Sequence, residues 1–157
     1  NLAIFRKLSL AAYRNESVEA SYWSIRSGAS VSRRMSPRAF GYDGLRWHVR
    51  AFCHNKEQFL DFVIGRFESV GKAEPSPFSD RVDSDWIENV DLQLRPNPDL
   101  DAGKQRALEM DYGMEDGQCI LTVRKAMKLY TLRRLGFVGE SMAPPMVNEL
   151  QELEWIA

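Results

Sequence analysis

The sequence predicts an α+β protein in which a small antiparallel β-barrel is followed by a small α/β unit. Three observations lead to this prediction. Residues 16–73 show a hydrophobic period of two, residues 74–86 show no apolar periodicity, and residues 87–157 alternate strand-like with helix-like patterns. A chain of 157 residues can bury roughly 68–70% of its unfolded surface, so a real core is expected.

The first half begins with a helix and continues with four strands. Leu2, Phe5 and Leu8 recur at helical spacing, and residues 1–15 are interpreted as a connector helix. The dipeptide Asp43-Gly44 is typical of a hairpin turn. Strand patterns occur at residues 18–25, 31–40, 45–53 and 57–72. Four short antiparallel strands in so little sequence favour a curled barrel of the Sm or SH3 type over residues 16–73.

The second half predicts a separate α/β domain over residues 87–157. Residues 74–86 are rich in proline, serine and acidic residues, so they are interpreted as a linker. The acids of this linker are expected to be solvated, because no calcium-loop spacing is present; they are Asp80, Asp83 and Asp85. The elements predicted after the linker are a strand up to Pro96, a helix at 101–112, a strand at 118–124, a helix at 125–135 and a final short helix ending near Trp155.

Charge is distributed unevenly along the chain. Residues 1–72 carry 12 basic and 6 acidic side chains, whereas residues 73–157 carry 9 and 16. Between Tyr22 and Arg50 there are six arginines, one acid and no lysine. The guanidinium fork suits bidentate phosphate binding, so this cluster indicates an anionic ligand. Two distant cysteines, Cys53 and Cys119, favour buried thiols in the cytoplasm, and no run of apolar residues is long enough to cross a membrane.

The third strand carries the strongest chemical signal. Because side chains alternate between faces, Trp47, Val49, Ala51 and Cys53 form an apolar face. The other face presents Arg46, His48, Arg50 and Phe52. Such a face is either an ordinary solvated surface or a groove for phosphate contact and base stacking. The absence of lysine, glutamate and glutamine on that face favours the groove.

Neighbouring strands supply further candidates for the groove. Tyr22 and Ser24 offer hydroxyl groups on the first strand, and parity favours Arg34 over Arg33 on the second. Arg66 is either a paired structural arginine or is turned toward the groove by a bulge at Gly65.

Metal binding and catalysis find little support in the sequence. His48, Cys53 and His54 lack metal-ligand spacing, and no nucleophile elbow, phosphate loop or dinucleotide fingerprint occurs. No cofactor is predicted. Two other functions stay open. One is a phosphoester-processing enzyme with His48 as general base and Arg50 as an oxyanion clamp. The other is a constitutive Sm-like module that binds single-stranded RNA.

Several segments form a recognisable set. In the first half these are Arg33-Arg34-Met35-Ser36-Pro37, Asp43-Gly44, Arg46-Trp47-His48-Val49-Arg50-Ala51-Phe52 and Asp61-Phe62-Val63-Ile64-Gly65-Arg66-Phe67. Together they resemble the WYL domain of bacterial transcription regulators. The Trp-Tyr-Leu tripeptide that names the family stands here as Trp47-His48-Val49, which is similar to a subgroup of repressors that accompany BREX and CBASS phage-defence islands. Three segments of the second half resemble the C-terminal extension of that subgroup. They are Leu94-Arg95-Pro96-Asn97-Pro98, Glu109-Met110-Asp111-Tyr112-Gly113-Met114 and Val123-Arg124-Lys125-Ala126.

The resemblance implies a sensor part of a DNA-binding repressor. Its Sm-like barrel is expected to bind a nucleotide or a short nucleic acid, with matching positions at Tyr22, Ser24, Arg34, His48, Arg50 and Arg66. It also implies an N-terminal winged helix-turn-helix, absent from these residues, that binds operator DNA as a dimer. Exposed apolar side chains are expected to support a homodimer in the C-terminal part; they are Phe137, Val138, Met142 and Met146.

Overall fold

The computed structural model describes residues 1–157, which form two compact units, Asn1–Asp83 and Ser84–Ala157. Each unit has its own antiparallel sheet and its own hydrophobic core. No helix combines the length and the apolar character needed to cross a membrane. The coarse α+β prediction is confirmed.

The first unit consists of one helix and a five-stranded sheet. Helix α1 spans Leu2–Tyr13, and the side chain of Asn1 caps it by accepting hydrogen bonds from the first-turn amides. The strands are β1 Glu16–Ser24, β2 Ala29–Tyr42, β3 Trp47–Cys53, β4 Gln58–Val63 and β5 Phe67–Pro75. They pair antiparallel in the order β4-β3-β2-β1-β5, so β3 is an interior strand.

The predicted fourth strand is in fact two strands. A 3₁₀ turn at Ile64–Arg66 separates β4 from β5. Side chains three residues apart lie on the same side of such a turn, which allows both Ile64 and Phe67 to enter the core. Gly65 therefore lies within a turn rather than at a bulge.

Strand pairing leaves the sheet open, with β4 and β5 as its edges. The hydroxyl of Tyr22 in β1 nevertheless accepts a hydrogen bond of 3.1 Å from the amide of Val63 at the end of β4, so the sheet brings these two strands close together. Two strands lie between β1 and β4 in the sheet order. Residues of α1 complete the core through Ile4, Leu8 and Ala11.

The second unit pairs four strands with short helices. Its elements are α2 Ser84–Ile87, β6 Asn89–Pro96, α3 Ala102–Asp111, β7 Cys119–Arg124, a 3₁₀ turn Lys125–Met127, α4 Lys128–Arg134, β8 Met146–Val147 and β9 Leu153–Trp155. The sheet order is β7-β6-β9-β8, with antiparallel pairing throughout. The unit is therefore α+β rather than a parallel α/β arrangement.

Two predictions about the C-terminal segment are wrong. The expected final helix is strand β9, which pairs with β6 and β8. Phe137 is not part of an exposed patch, because it is fully buried and its ring lies 6.4 Å from that of the buried Trp155. Met142 and Met146 pack against the same core. Of the four residues expected to form the patch, Val138 is the one with substantial exposure.

Candidate ligand cavity and the buried arginine

A cavity of about 590 Å³ opens between the β1–β2 hairpin and the strand β4. Antiparallel pairing sets Tyr22 opposite Val31 and Ala20 opposite Arg33, so the side chains of these pairs share one face of the hairpin. The chain that leads from β3 into β4 closes the other side of the cavity. The lining residues are Tyr22, Ser24, Arg26, Ser27, Val31, Arg33, Lys56, Gln58, Leu60, Asp61 and Phe62.

The charge of the cavity is predominantly positive. Arg26, Arg33 and Lys56 are its basic residues, and Asp61 is its one acidic residue. The Nε atom of Arg33 is buried and has no hydrogen-bond partner within the protein. A buried donor without an acceptor is costly, so this nitrogen is suited to receive an acceptor from a ligand. The cavity therefore has the chemistry of an anion site.

Tyr22 forms part of both the cavity wall and the core. Its ring contacts Phe62 and Phe67 edge to face, with both centroid distances at 5.1 Å. Its hydroxyl accepts from the Val63 amide and keeps its own hydrogen for donation. Ser24 lies at the end of the same strand, on the same face. These two predicted residues are brought together.

Arg34 shares a face of the sheet with Phe52 and Arg50, as the parity argument predicted, but this face does not line the cavity. Arg34 lies opposite Glu19, on the other face of the hairpin from Tyr22, and forms an exposed ion pair with Glu74. Arg33 lines the cavity instead. The sequence pattern separated the two arginines by parity with the buried Met35, but it did not indicate that the cavity lies on the opposite face, where Arg33 is.

His48 is buried and does not reach the cavity. Its Nε2 donates a hydrogen bond of 2.7 Å to Oδ2 of Asp43, in the turn between β2 and β3. Burial alone would raise the pKa of Asp43. The hydrogen bonds from His48 and from the amides of Arg46 and Leu45 outweigh burial and hold that pKa well below its ordinary value. His48 thus stabilises the turn, and its position argues against a role as a general base.

Arg50 is also buried, contrary to the expectation of an exposed basic column. Its Nε and Nη2 donate to the carboxylate of Asp83, and its Nη1 donates to Oδ1 of Asp61 at 3.2 Å. Burial lowers the pKa of Arg50, but the two carboxylates outweigh this effect and raise it above the ordinary value. Asp83 was expected to be a solvated linker residue, yet its side chain is 9% exposed.

Arg66 lies apart from the other candidates. It lines a separate hollow of about 450 Å³ with Arg46 and Trp47, next to the 3₁₀ turn. Trp47 was expected to be buried on the apolar face of β3, but it is 51% exposed. It packs at the start of the strand against Tyr42, with ring centroids 5.3 Å apart.

Two family descriptions match the chain. The WYL domain matches residues 3–71, and the C-terminal dimerization domain of the BrxR transcriptional regulator matches residues 89–153. The chain contains a WYL domain followed by a BrxR-type dimerization domain. The resemblance found in the sequence is confirmed. The cavity and the Arg50–Asp61 contact both belong to the WYL domain.

Curated relatives of this WYL protein are named DNA-binding transcriptional repressor CapW. The protein from Stenotrophomonas maltophilia is 44% identical over 110 residues, which are 69% of this chain and 36% of that relative. The one from Pseudomonas aeruginosa is 36% identical and covers 75% of this chain and 40% of its own length. The one from Escherichia coli is 31% identical, and the matched region covers 80% of this chain and 42% of that relative. The matched region thus spans about two fifths of these repressors.

A solved structure is also similar to this WYL protein. It is the proteasome accessory factor B/C of Arthrobacter aurescens, at 21% sequence identity and a TM-score of 0.45. The similar region covers 78% of this chain and 21% of that protein.

Proposed function

We propose that this chain is the ligand-sensing and dimerisation part of a DNA-binding transcriptional repressor. The ligand is a nucleotide or a short oligonucleotide, and it binds in the cavity of the WYL domain. The observation that carries the proposal is the lining of that cavity, where three basic side chains and the hydroxyls of Tyr22, Ser24 and Ser27 converge with one acid.

The chemistry of the cavity fits a phosphate group. Arginine side chains form charge-assisted hydrogen bonds with phosphate oxygens, each worth roughly 1.5–3 kcal/mol. Arg33 offers a buried Nε donor that has no partner in the protein. Hydroxyl groups supply further donors and acceptors for a sugar or a base edge. Tyr22 and Ser24 keep their predicted roles in this proposal, and Arg33 takes the place of Arg34.

The same proposal includes an Sm-like form for the first unit. Its strand order, β4-β3-β2-β1-β5, places the last two strands at opposite edges of a curled sheet. The hydrogen bond between Tyr22 and Val63 supports this curvature. The cavity then lies where the curled sheet brings β1 close to β4.

The partners of the protein follow from the relatives. The matching C-terminal family is named for dimerization, and the curated relatives are named DNA-binding repressors. We therefore propose that the second unit forms a homodimer and that operator DNA is bound by a part of the protein outside this chain. Light scattering at tens of micromolar should report twice the monomer mass.

The test of ligand binding uses a single-stranded probe, trithymidylate with a 5′-phosphate. Calorimetric titration at constant salt should show binding to the wild type and a loss of about ten- to a hundredfold for Arg33→Ala. Arg34→Ala is the matched control, because that side chain lies on the other face and pairs with Glu74. The control should bind within about twofold of wild type.

Each contrary result has a specific meaning. Equal losses of probe affinity in Arg33→Ala and Arg34→Ala would indicate that positive charge attracts the probe non-specifically. Unchanged affinity of a folded Arg33→Ala variant would exclude the cavity as the site. Much tighter binding of long single-stranded RNA than of the probe would favour a constitutive RNA-binding module instead.

A further inference from the structure

Residues 76–83, which we call the linker strap, are docked on the first unit rather than solvated. The ring of Phe78 packs on Phe52 and His54, with centroid distances of 4.9 and 4.6 Å. Arg38 donates to the carbonyl of Phe78 at 2.7 Å. The hydroxyl of Ser76 lies 2.6 Å from that of Ser36. Aromatic packing and polar contacts thus both hold the strap.

A charged contact holds the far end of the strap. Asp83 is its last residue, and Ser84 begins the second unit. The carboxylate of Asp83 accepts two hydrogen bonds from Arg50, and both side chains are 9% exposed. The attachment of this end of the strap therefore depends on where the guanidinium of Arg50 directs its donors.

Arg50 also connects the strap to the ligand cavity. Its Nη1 donates to Asp61, which is the one acidic residue in the cavity wall. Asp61 and Asp83 therefore share a single guanidinium. Asp61 lies opposite Arg50 in the strand pairing, so negative charge that enters the cavity acts on its carboxylate across strand β4, because like charges repel strongly where water is scarce.

We infer that the triad of Asp61, Arg50 and Asp83 couples ligand binding in the cavity to release of the linker strap. This inference rests on the proposed function, because it requires an anion in the cavity. The bound anion pushes Asp61 toward Arg50, and Asp61 then competes with Asp83 for the same guanidinium. The strap loosens at the point where the chain enters the dimerization domain.

Coupling of this kind is reciprocal. If the ligand favours the released strap, the released strap favours the ligand by the same factor. The strap is the element with two states, docked and released, whose balance both contacts of Arg50 influence. Neutralising Asp83 should therefore release the strap without ligand and should tighten ligand binding.

Hydrogen exchange of the strap amides, measured by mass spectrometry on the whole chain, tests the coupling. The probe is again 5′-phosphorylated trithymidylate. Saturating probe should raise the exchange rate of residues 78–83 in wild type about tenfold, because exchange follows the population of the open form. Asp83→Asn should show a similar increase without probe. Asp80→Asn is the matched control, since Asp80 is an exposed acid of the same strap. Strap exchange in this variant should stay within twofold of that in the wild type.

A third variant isolates the connection itself. Asp61→Asn should still bind the probe through Arg33, but the probe should no longer change strap exchange. A probe that binds through Arg33 in wild type without changing strap exchange overturns the coupling and leaves the proposed function standing. Equal exchange in Asp83→Asn and Asp80→Asn also overturns it. A probe that does not bind at all overturns the proposed function and the coupling together.

Discussion

Arg50 and Asp83, which lie 33 residues apart in the chain, form a buried ion pair between strand β3 and the linker strap. Asp61 shares the guanidinium at 3.2 Å. A buried charge is tolerated when it is paired and hydrogen-bonded, and it is costly when its partner is removed. The fold therefore needs Arg50 before any ligand is present.

Arg50→Ala is expected to lower the free energy of unfolding by about 3 kcal/mol, because two carboxylates of low exposure lose their partner. Urea denaturation measures the effect. Arg34→Ala is the control, since its pair with Glu74 is exposed on both sides and contributes about 0–1 kcal/mol. Equal free energies of unfolding for the two variants would show that the buried ion pair makes no net contribution to stability.

His54 is expected to make stability depend on pH in the mildly acidic range. Burial, followed by the nearby charge of Arg34, lowers the pKa of His54 below its ordinary value of 6.5. Its Nε2 lies 2.8 Å from the Ser36 hydroxyl, and Phe78 packs on the ring. Because the unfolded chain then binds a proton more readily than the folded one, stability is complete above about pH 6.5 and falls as the pH drops through the folded-state pKa.

Thermal unfolding at pH 7.5 and 5.5 checks this prediction. The melting temperature of the wild type should be lower at pH 5.5 than at pH 7.5. The melting temperature of His54→Gln should fall less between the same pH values. The difference between the two proteins isolates the histidine from other groups that titrate in the range. A pH dependence that is identical in both would exclude His54 as its source.

The sequence predicted the strands better than the positions of their side chains. The alternation in β6 is visible locally, because one face of the strand is more apolar than the other. Strand β9 was mistaken for a helix, since its three residues are held in place by pairing with β6 and β8 and not by any local pattern. The pairing with β6 joins residues about 60 positions apart.

The site was predicted only in part, and β3 shows why. The strand is interior to the sheet, and apart from Trp47 it is buried on both faces. A basic pattern on a strand of this kind is consistent with an exposed groove and also with buried ion pairs. The partner that distinguishes the two, Asp83, lies in a segment whose composition is typical of a solvated linker. A run of acids after a basic strand was the signal that could have indicated pairing.

Trp47→Ala is expected to cost about 1–2 kcal/mol, less than a buried tryptophan, because half of its side chain is exposed to solvent. Trp155→Ala provides the comparison. Trp155 is 1% exposed in the core of the second unit, and its removal should cost about 3–5 kcal/mol. Urea denaturation of both variants measures the difference. A larger loss for Trp47 than for Trp155 would show that the Tyr42–Trp47 contact carries more of the stability than its exposure indicates.

Tyr22→Phe is expected to lower the free energy of unfolding by about 1–3 kcal/mol, although the ring and its contacts with Phe62 and Phe67 are kept. The substitution removes the acceptor of the Val63 amide, and a buried N–H without a partner carries the full cost of its desolvation. Tyr42→Phe is the matched control, since that ring is 45% exposed, and it should change stability by less than about 0.5 kcal/mol. Urea midpoints with unchanged slopes would attribute the effect to the folded state. If Tyr22→Phe is as stable as the control, the Val63 amide finds another acceptor, and the hydrogen bond between β1 and β4 is not what holds the curled sheet.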